Sequence, residues 1–559
     1  MSNKKIFIGA AWPYVNSNLH LGHLAGYLLP ADIFARFNRL IGNDVLMVSG
    51  SDCFGTPVAL EADKKNLPPA EVVNEYHTKN VKLFNYLNLS FDIYTKTDNP
   101  FHKEIVQDVF ITLLKKGLIY KDISEQYYSE TENKFLPDRY VEGTCPRCGF
   151  AEARSDQCDN CDSLLTQGEL KNPISKLTKT PVIIKESEHY FFAWAKLENF
   201  LKEYLKDYSG AWREWIKNEA TRWLADGLKS RAITRDLDWG IEIPVDRLDK
   251  DEIISGADQK RIYVWFEAVI GYLSASIQYS RENNNESWKD FWYNKDAKHY
   301  YFMGKDNLVF HTLFWPGQLH GYDEKLHLPD VPAINQFLTL NNRGFSKSRG
   351  ITIDPRKIAT DFGLDVVRFY LTLIMPENSD SDFTWSDFIV KTNNLLIANL
   401  GNLINRTLKL AEGLDFSKMV NKDVKEIIKL YLKKMELGKK LISNCQFRDY
   451  AENILALSAE GNLYLSKETP WKIKDDANKY LEIMFTPMAI IVALTTMIKP
   501  IAPEAADKLE KMLGIEITNW PDEETIFNLV KKIKITNVEP LFKKIDADPE
   551  AENFNEKYA

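Results

Sequence analysis

Two histidines stand three residues apart in His20-Leu21-Gly22-His23, just after a short apolar run, and together they suggest phosphate chemistry. A helix N-terminus carries unpaired backbone N–H groups and a partial positive charge. Imidazole donors placed beside it would stabilise charge growing on a transferred phosphate, and Gly22 would let a nucleotide approach closely. Taken alone, the tetrapeptide is a weak signal that two ordinary surface or core histidines explain better. Far downstream, Asn342-Arg343-Gly344-Phe345-Ser346-Lys347-Ser348-Arg349-Gly350 sets a lysine among glycine and serine. That is the composition of a mobile cationic clamp on phosphates, or of a plain solvated loop.

Cysteine spacing carries a second chemistry. Four of the six cysteines form Cys145-Pro-Arg-Cys148 and Cys158-Asp-Asn-Cys161. Each short turn aims two sulfurs at a point, so four thiolates can surround one Zn²⁺ in a closed, structural site. Two disulfides or a redox pair compete with this reading. Disulfides need an oxidising compartment, and a redox site needs only one pair. Cys53 and Cys445 stand alone and read as small buried hydrophobes.

These groups require elements to hold them. Lys4–Ala11 is an apolar run that predicts a buried strand. From His20, apolar residues Leu24, Tyr27, Leu28, Ile33, Phe34, Phe37 and Leu40 recur at helical steps until Gly42. Val45–Gly50 predicts a second strand, ending in Ser51-Asp52. A strand–helix–strand unit is parallel and right-handed, and ligands bind at the carboxyl edge of such sheets. Both histidines and Asp52 fall on that edge. From about Ser386, amphipathic stretches such as Ile397–Leu410 and Val424–Leu441 predict a helical bundle. The 559 residues imply several domains, and a net charge of −8 argues against wholesale coating of nucleic acid while leaving room for a local basic face. No apolar run is expected to reach the ~18–20 residues of a membrane span. The N-terminus leads directly into a strand without a signal-peptide pattern, which points to the cytoplasm.

In this order, and within an α/β chain, His20-Leu21-Gly22-His23 and Gly344-Phe345-Ser346-Lys347-Ser348 resemble the HIGH and KMSKS signatures of class I aminoacyl-tRNA synthetases. Further stretches resemble the methionyl-tRNA synthetase family: Ala11-Trp12-Pro13-Tyr14, Gly55-Thr56-Pro57, Phe135-Leu136-Pro137-Asp138-Arg139, Tyr263-Val264-Trp265-Phe266-Glu267-Ala268, Ile270-Gly271-Tyr272, Gly304-Lys305-Asp306 and Phe310-His311-Thr312-Leu313-Phe314-Trp315-Pro316. The resemblance implies a Rossmann-type parallel-sheet catalytic domain (1–115 and 236–325) interrupted by a connective insertion with a zinc knuckle (116–235). A stem-contact region bearing the second signature (326–385), an α-helical anticodon-binding bundle (386–525) and a C-terminal extension (526–559) would follow.

It further implies that L-methionine and ATP react to methionyl-adenylate and pyrophosphate, and that methionine then passes to the terminal adenosine of tRNA(Met). His20, His23 and Lys347 would be catalytic. Gly22, Gly304, Asp306 and Ser346 would join them at ATP, which brings Mg²⁺. Tyr14, Asp52, Trp265, Ala268, Tyr272, His311 and Trp12 would surround methionine, with Arg235 near the substrate. Asn402, Arg406 and Trp471 would read the CAU anticodon. Gly344 departs from the family's usual lysine and shifts weight onto Lys347 and Arg343. Trp12 stands where some members carry leucine. Ser129 and Glu132 occupy the places of a second C-x-x-C, so one zinc is expected. A monomer with a frayed, acidic ending is also expected. The insertion is too short for the large editing domain of leucyl-, isoleucyl- and valyl-type relatives.

Overall fold

A computed structural model describes residues 3–136, 140–155, 158, 160–161, 163, 165, 168–346, 350–419, 423–547 and 553–559, apart from the side chain of Asp423. Five strands form the central sheet: β1 (Lys5–Ala10), β2 (Asp44–Ser51), β3 (Ile93–Lys96), β4 (Lys298–Gly304) and β5 (Val331–Asn335). They lie in the order β5-β4-β1-β2-β3, every neighbouring pair parallel. The apolar run of β1 is buried from Ile6 onward because helices cover both faces. From the central β1 the sheet extends one way through β2 and the other through β4. The strand order therefore reverses between β1 and β4, and the crevice at their carboxyl ends is where such sheets take ligands.

The predicted helix after β1 runs continuously from Leu21 to Leu40, with a π-helical segment at Leu24–Leu28. Gly42, at φ +83°, turns the chain toward β2. Between β3 and β4 the chain builds an antiparallel sheet from Ile119–Ser129, Lys134–Phe135, Ile183–Phe192 and Arg231–Ala232. A smaller sheet of Val141–Thr144, Ala153–Arg154 and Lys171–Ser175 carries the cysteine turns over a separate small core around Tyr127, Tyr140 and Val141. Ser129 and Glu132 are engaged there in hydrogen bonds: Glu132 N–H donates to Ser129 Oγ at 3.1 Å, and its carboxylate accepts from Ser175 and Thr178.

Helices dominate from Trp385 onward. Their innermost member, Ala477–Ile498, has an 18-residue window of mean hydropathy 1.9. That overturns the expectation that no stretch would be long and apolar enough to cross a membrane. Its neighbours in the bundle account for the composition, because 89% of that window is buried among them. Two arginines join the layers. Buried Arg368 pairs with Asp32 at 2.6 Å and donates to the carbonyls of Ile501 and Pro500. Arg213 donates to Ile334 O at 2.6 Å, Asn335 Oδ1 at 2.9 Å, Glu377 O at 2.9 Å and Cys445 O at 2.9 Å, tying β5 to the bundle. Cys53 and Cys445 are both buried, as predicted.

The described part of the ending is not frayed. Residues 553–559 dock on the segment after the second signature: Asp354 N–H donates to Tyr558 O at 2.7 Å and Tyr558 Oη donates to Asp361 at 2.8 Å. Phe554 and Tyr558 bury their rings against Trp385 and Phe362. Two aromatics outweigh a surrounding acidic composition when a matching apolar surface is present.

Candidate active site

His20 caps the helix that follows it. Gly22 N–H donates to His20 Nδ1 at 3.1 Å, and His20 N–H donates to His23 Nδ1 at 3.2 Å. With both Nδ1 atoms acting as acceptors, the neutral rings must carry their protons on Nε2. Each histidine thus presents an Nε2–H donor, and both rings line one cavity at the β1–β4 crevice. A Cβ on Gly22 would lie 2.9 Å from the His20 ring and 3.2 Å from Phe345, so folding His20 back onto its own helix start requires glycine there. His20 lies flat on Phe345, with centroids 4.7 Å apart and planes 8° apart. The two distant signatures therefore touch.

The cavity holds about 610 Å³ and runs from the histidines to an aromatic end. There His311 Nδ1 donates to Asn307 O at 3.0 Å, so its Nε2, 2.8 Å from Tyr272 Oη, must accept the tyrosine proton. Burial lowers the His311 pKa to about 4 and keeps the ring neutral. Trp265 packs on Phe310 at 4.2 Å, Ala268 follows Trp265 by three residues, and Trp12 meets Tyr272 edge-on. The Trp12 indole fits against Gly50 and Gly271, where a Cβ would come within 2.1 and 2.7 Å of it.

Asp52 closes this end at the tip of β2. The chain after β1 pins it, with Asp52 N–H donating to Pro13 O and Val15 N–H donating to Asp52 O, beside Tyr14. Asp52 is 5% exposed, and its Oδ1 has no hydrogen-bond partner among the described residues. Burial, and then the neighbouring Glu267, raise its pKa well above the usual carboxylate value. An unsatisfied buried carboxylate facing an apolar aromatic cavity suits a small ammonium ligand with a soft apolar chain. Gly304 and Asp306 follow β4 on the opposite side. A Cβ on Gly304 would crowd Asp306 Oδ1 at 2.9 Å.

Not every expected residue joins this set. Ser346 is tied back to Ile351 by a pair of backbone hydrogen bonds and does not line the cavity, although Gly344 and Phe345 do. Lys347, with Ser348 and Arg349, lies outside the described residues. Arg235 is not among the residues that line the cavity; it sits 4.0 Å over the Tyr263 ring and donates to the carbonyls of Ala232 and Thr234. Sequence reasoning missed Tyr27, Phe310, Gln336 and Phe337 on the cavity wall. Gln336 and Phe337 follow β5, so the strand-end rule applied to β1 and β2 would have found them. Gly26, inside a buried helix yet facing open space, was a further signal.

Two other sites lie apart from the cavity. The four knuckle sulfurs all lie within 4.8 Å of one another, with Cys145–Cys161 at 3.9 Å and Cys148–Cys158 at 3.6 Å. Tetrahedral Zn–S bonds of about 2.3 Å would set the sulfurs roughly 3.8 Å apart, so the donor set fits zinc. In the bundle, the Arg406 guanidinium stacks 5.2 Å over half-open Trp471, while exposed Asn402, one turn before Arg406, donates to Asn462.

Comparison with known proteins agrees with this architecture. Residues 6–408 match the family model described as tRNA synthetases class I (M), and residues 416–559 match that of the anticodon binding domain of methionyl tRNA ligase. A methionine–tRNA ligase of Roseiflexus sp. (strain RS-1) is 40% identical over 93% of this chain and 89% of its own. That of Dehalococcoides mccartyi (strain CBDB1) is 40% identical over 97% and 98%. Mycobacterium tuberculosis methionyl-tRNA synthetase, solved in complex with methionyl-adenylate, shares the fold with a TM-score of 0.76 at 23% identity, covering 96% of this chain and 99% of that one.

Proposed function

Because the chain belongs to the methionyl-tRNA synthetase family of class I aminoacyl-tRNA synthetases, we propose that the cavity at its sheet edge holds methionine and ATP side by side. The chain activates methionine with ATP, releasing pyrophosphate, and transfers the methionyl group to the terminal adenosine of tRNA. The methionine ammonium sits on Asp52, with Tyr14 alongside. The thioether lies among Trp12, Trp265, Ala268, Tyr272 and His311, an apolar, polarizable setting that suits sulfur.

A methionine carboxylate oxygen attacks the α-phosphorus, the O–Pα bond forms, and the bond to the β-phosphate breaks. The carboxylate needs no activation, so positioning and charge stabilisation supply the catalysis. His20 and His23 give their Nε2–H donors to phosphate oxygens as negative charge moves toward the leaving pyrophosphate. Gly22, Gly304 and Asp306 bound the nucleotide, Lys347 brings positive charge to the departing phosphates, and Mg²⁺ accompanies ATP.

One observation carries this reading: a buried Asp52 oxygen without a partner among the described residues, in the cavity the capped histidines share. Pyrophosphate exchange across the twenty amino acids tests it. Methionine should dominate, and Asp52→Asn should raise the methionine KM by about tenfold or more, the scale of a lost charged contact. Exchange driven by leucine or cysteine alone would overturn it.

Cys145, Cys148, Cys158 and Cys161 hold one structural Zn²⁺, which leaves no open coordination position. Metal analysis should return one equivalent, and chelation should loosen the small sheet while leaving the cavity residues in place. Asn402, Arg406 and Trp471 read the CAU anticodon by hydrogen bonds and stacking. The proposal is completed by a monomer in the cytoplasm, which sedimentation and cell fractionation would test.

A further inference from the structure

Behind Asp52 lies a buried pair that the reaction just described does not use. Glu267 Oε2 is 2.7 Å from His102 Nε2, and the two side chains are 0% and 1% exposed. On its other side, His102 Nδ1 is 2.8 Å from Ser274 Oγ. The serine hydroxyl has one proton, and in the arrangement that gives it to Gly271 O at 3.2 Å, Ser274 accepts from the ring. In that arrangement His102 Nδ1 carries the ring proton. The contact between Nε2 and Oε2 then holds one proton: two would collide, and none would set lone pair against lone pair. Whichever atom carries it, the pair has no net charge.

Its neighbours make the location of that proton matter. Asp52, at the end of β2, and Glu267 act on each other electrostatically, and two buried carboxylates that do so cannot both ionise cheaply. Glu267 Oε1 and Asp52 Oδ1 are both buried without a hydrogen-bond partner among the described residues, but Asp52 lines the cavity, where a cationic ligand can meet its charge, and fully buried Glu267 does not. The indole of Trp12, which forms a wall of the cavity, rests on the His102 ring with centroids 6.3 Å apart and planes 29° apart.

We propose that His102 and Glu267 are positioning residues for the amino-acid substrate: His102 accepts a hydrogen bond from a protonated Glu267, which leaves the single negative charge of this carboxylate pair on Asp52, where the substrate ammonium arrives. Burial acts in the same direction, raising Glu267 and lowering His102 to about 3. The proposal rests on the reading that Asp52 receives the ammonium.

Without His102, the charge would divide between Asp52 and Glu267, and the fraction of chains ready to bind methionine would fall. His102→Leu should therefore raise the methionine KM by about tenfold, with kcat and the KM for ATP changed by less than about threefold. Glu267→Gln keeps a donor toward His102 and removes the rival charge, so its methionine KM should stay within about twofold of wild type. The double variant His102→Leu/Glu267→Gln should recover most of the loss. A double variant as poor as His102→Leu alone would make the pair a packing feature, and a tenfold rise in Glu267→Gln would overturn the proposal directly. Nitrogen-15 spectra of the wild-type chain give a readout independent of any variant's folding: His102 should remain a neutral Nδ1–H ring from pH 6 to 8, and an imidazolium signal would overturn the assignment. Asp52→Asn separates the two levels. If it leaves the methionine KM unchanged, the ammonium site itself is wrong, whatever the pair does.

Discussion

A hydroxyl and an imidazole that satisfy each other out of water make a contact sensitive to protons. Tyr272 can donate to His311 only while His311 Nε2 is bare, and burial enforces that state by lowering the ring to about 4. An unfolded histidine titrates near ~6.5. Between these values the unfolded chain binds a proton that the folded chain refuses, so stability rises as pH climbs from about 4 to ~6.5 and is fully present above it. On acidification through the window, His311 should remove on the order of 3 kcal/mol. Urea midpoints measured across that range should fall less steeply in His311→Gln, and parallel curves would show that the ring does not contribute. At this scale the sequence was informative about types and poor about orientation. His20, His23, Asp52 and Tyr272 could be named from motifs, but that His20 and His23 carry their protons on Nε2 follows only from backbone N–H groups occupying both Nδ1 atoms. Arg235 shows the same limit, since its type suited a substrate but its contacts with Tyr263, Ala232 and Thr234 could not be read from the sequence.

Elements that follow a period were legible. Lys4–Ala11, the helix to Leu40 and Val45–Gly50 were each placed within about a residue, because apolar spacing and burial coincide there. The π-helical segments were not. Three are described, at Leu24–Leu28, Phe310–Phe314 and Thr392–Gly401. They fall just after the histidine motif, around His311, and just before Asn402. A π turn widens the helix by one residue without a side-chain signature, and such bulges recur at functional positions. The joint at Arg213 was equally invisible, since its partners are mostly backbone carbonyls far apart in sequence. Its planar fork spans β5, Glu377 and Cys445 at once, which a lysine's single ammonium does not. Arg213→Lys should lower the rate of tRNA charging more than that of pyrophosphate exchange and should speed amide exchange at 445–448. Equal losses in both reactions would make Arg213 a general stabiliser of the fold.

Across the whole molecule, the catalytic crevice and the stacked Arg406–Trp471 pair belong to different parts, and the proposed division of labour can be separated by assay. Trp471→Ala should weaken charging of tRNA, at about 1–3 kcal/mol of lost stacking, while pyrophosphate exchange proceeds normally. Damage to both would assign Trp471 to packing. Tyr558, in the docked ending, is 1% exposed and holds the start of the Pro355–Phe362 helix through Asp354. Tyr558→Ala should cost about 3–5 kcal/mol and expose amides at 354–362 to exchange, whereas protection as in wild type would show the docking to be incidental. Composition read that segment as polar because few of its residues are apolar. The surface that receives Phe554 and Tyr558 is assembled from residues far earlier in the chain, and no local window contains both halves.

The central sheet has one more consequence, and it concerns time. Ile6 of β1 pairs with Val45 of β2 on one side and with Lys298 of β4 on the other. At ~5–20 residues per second, the second partner leaves the ribosome on the order of 15 to 60 s after the first strand. Throughout that interval an apolar strand has an unpaired edge while the whole insertion is being made and folded. Correct assembly in the cell then depends on keeping that edge from a neighbouring nascent chain, a task that rests on the rate of translation and on chaperones as much as on the finished contacts.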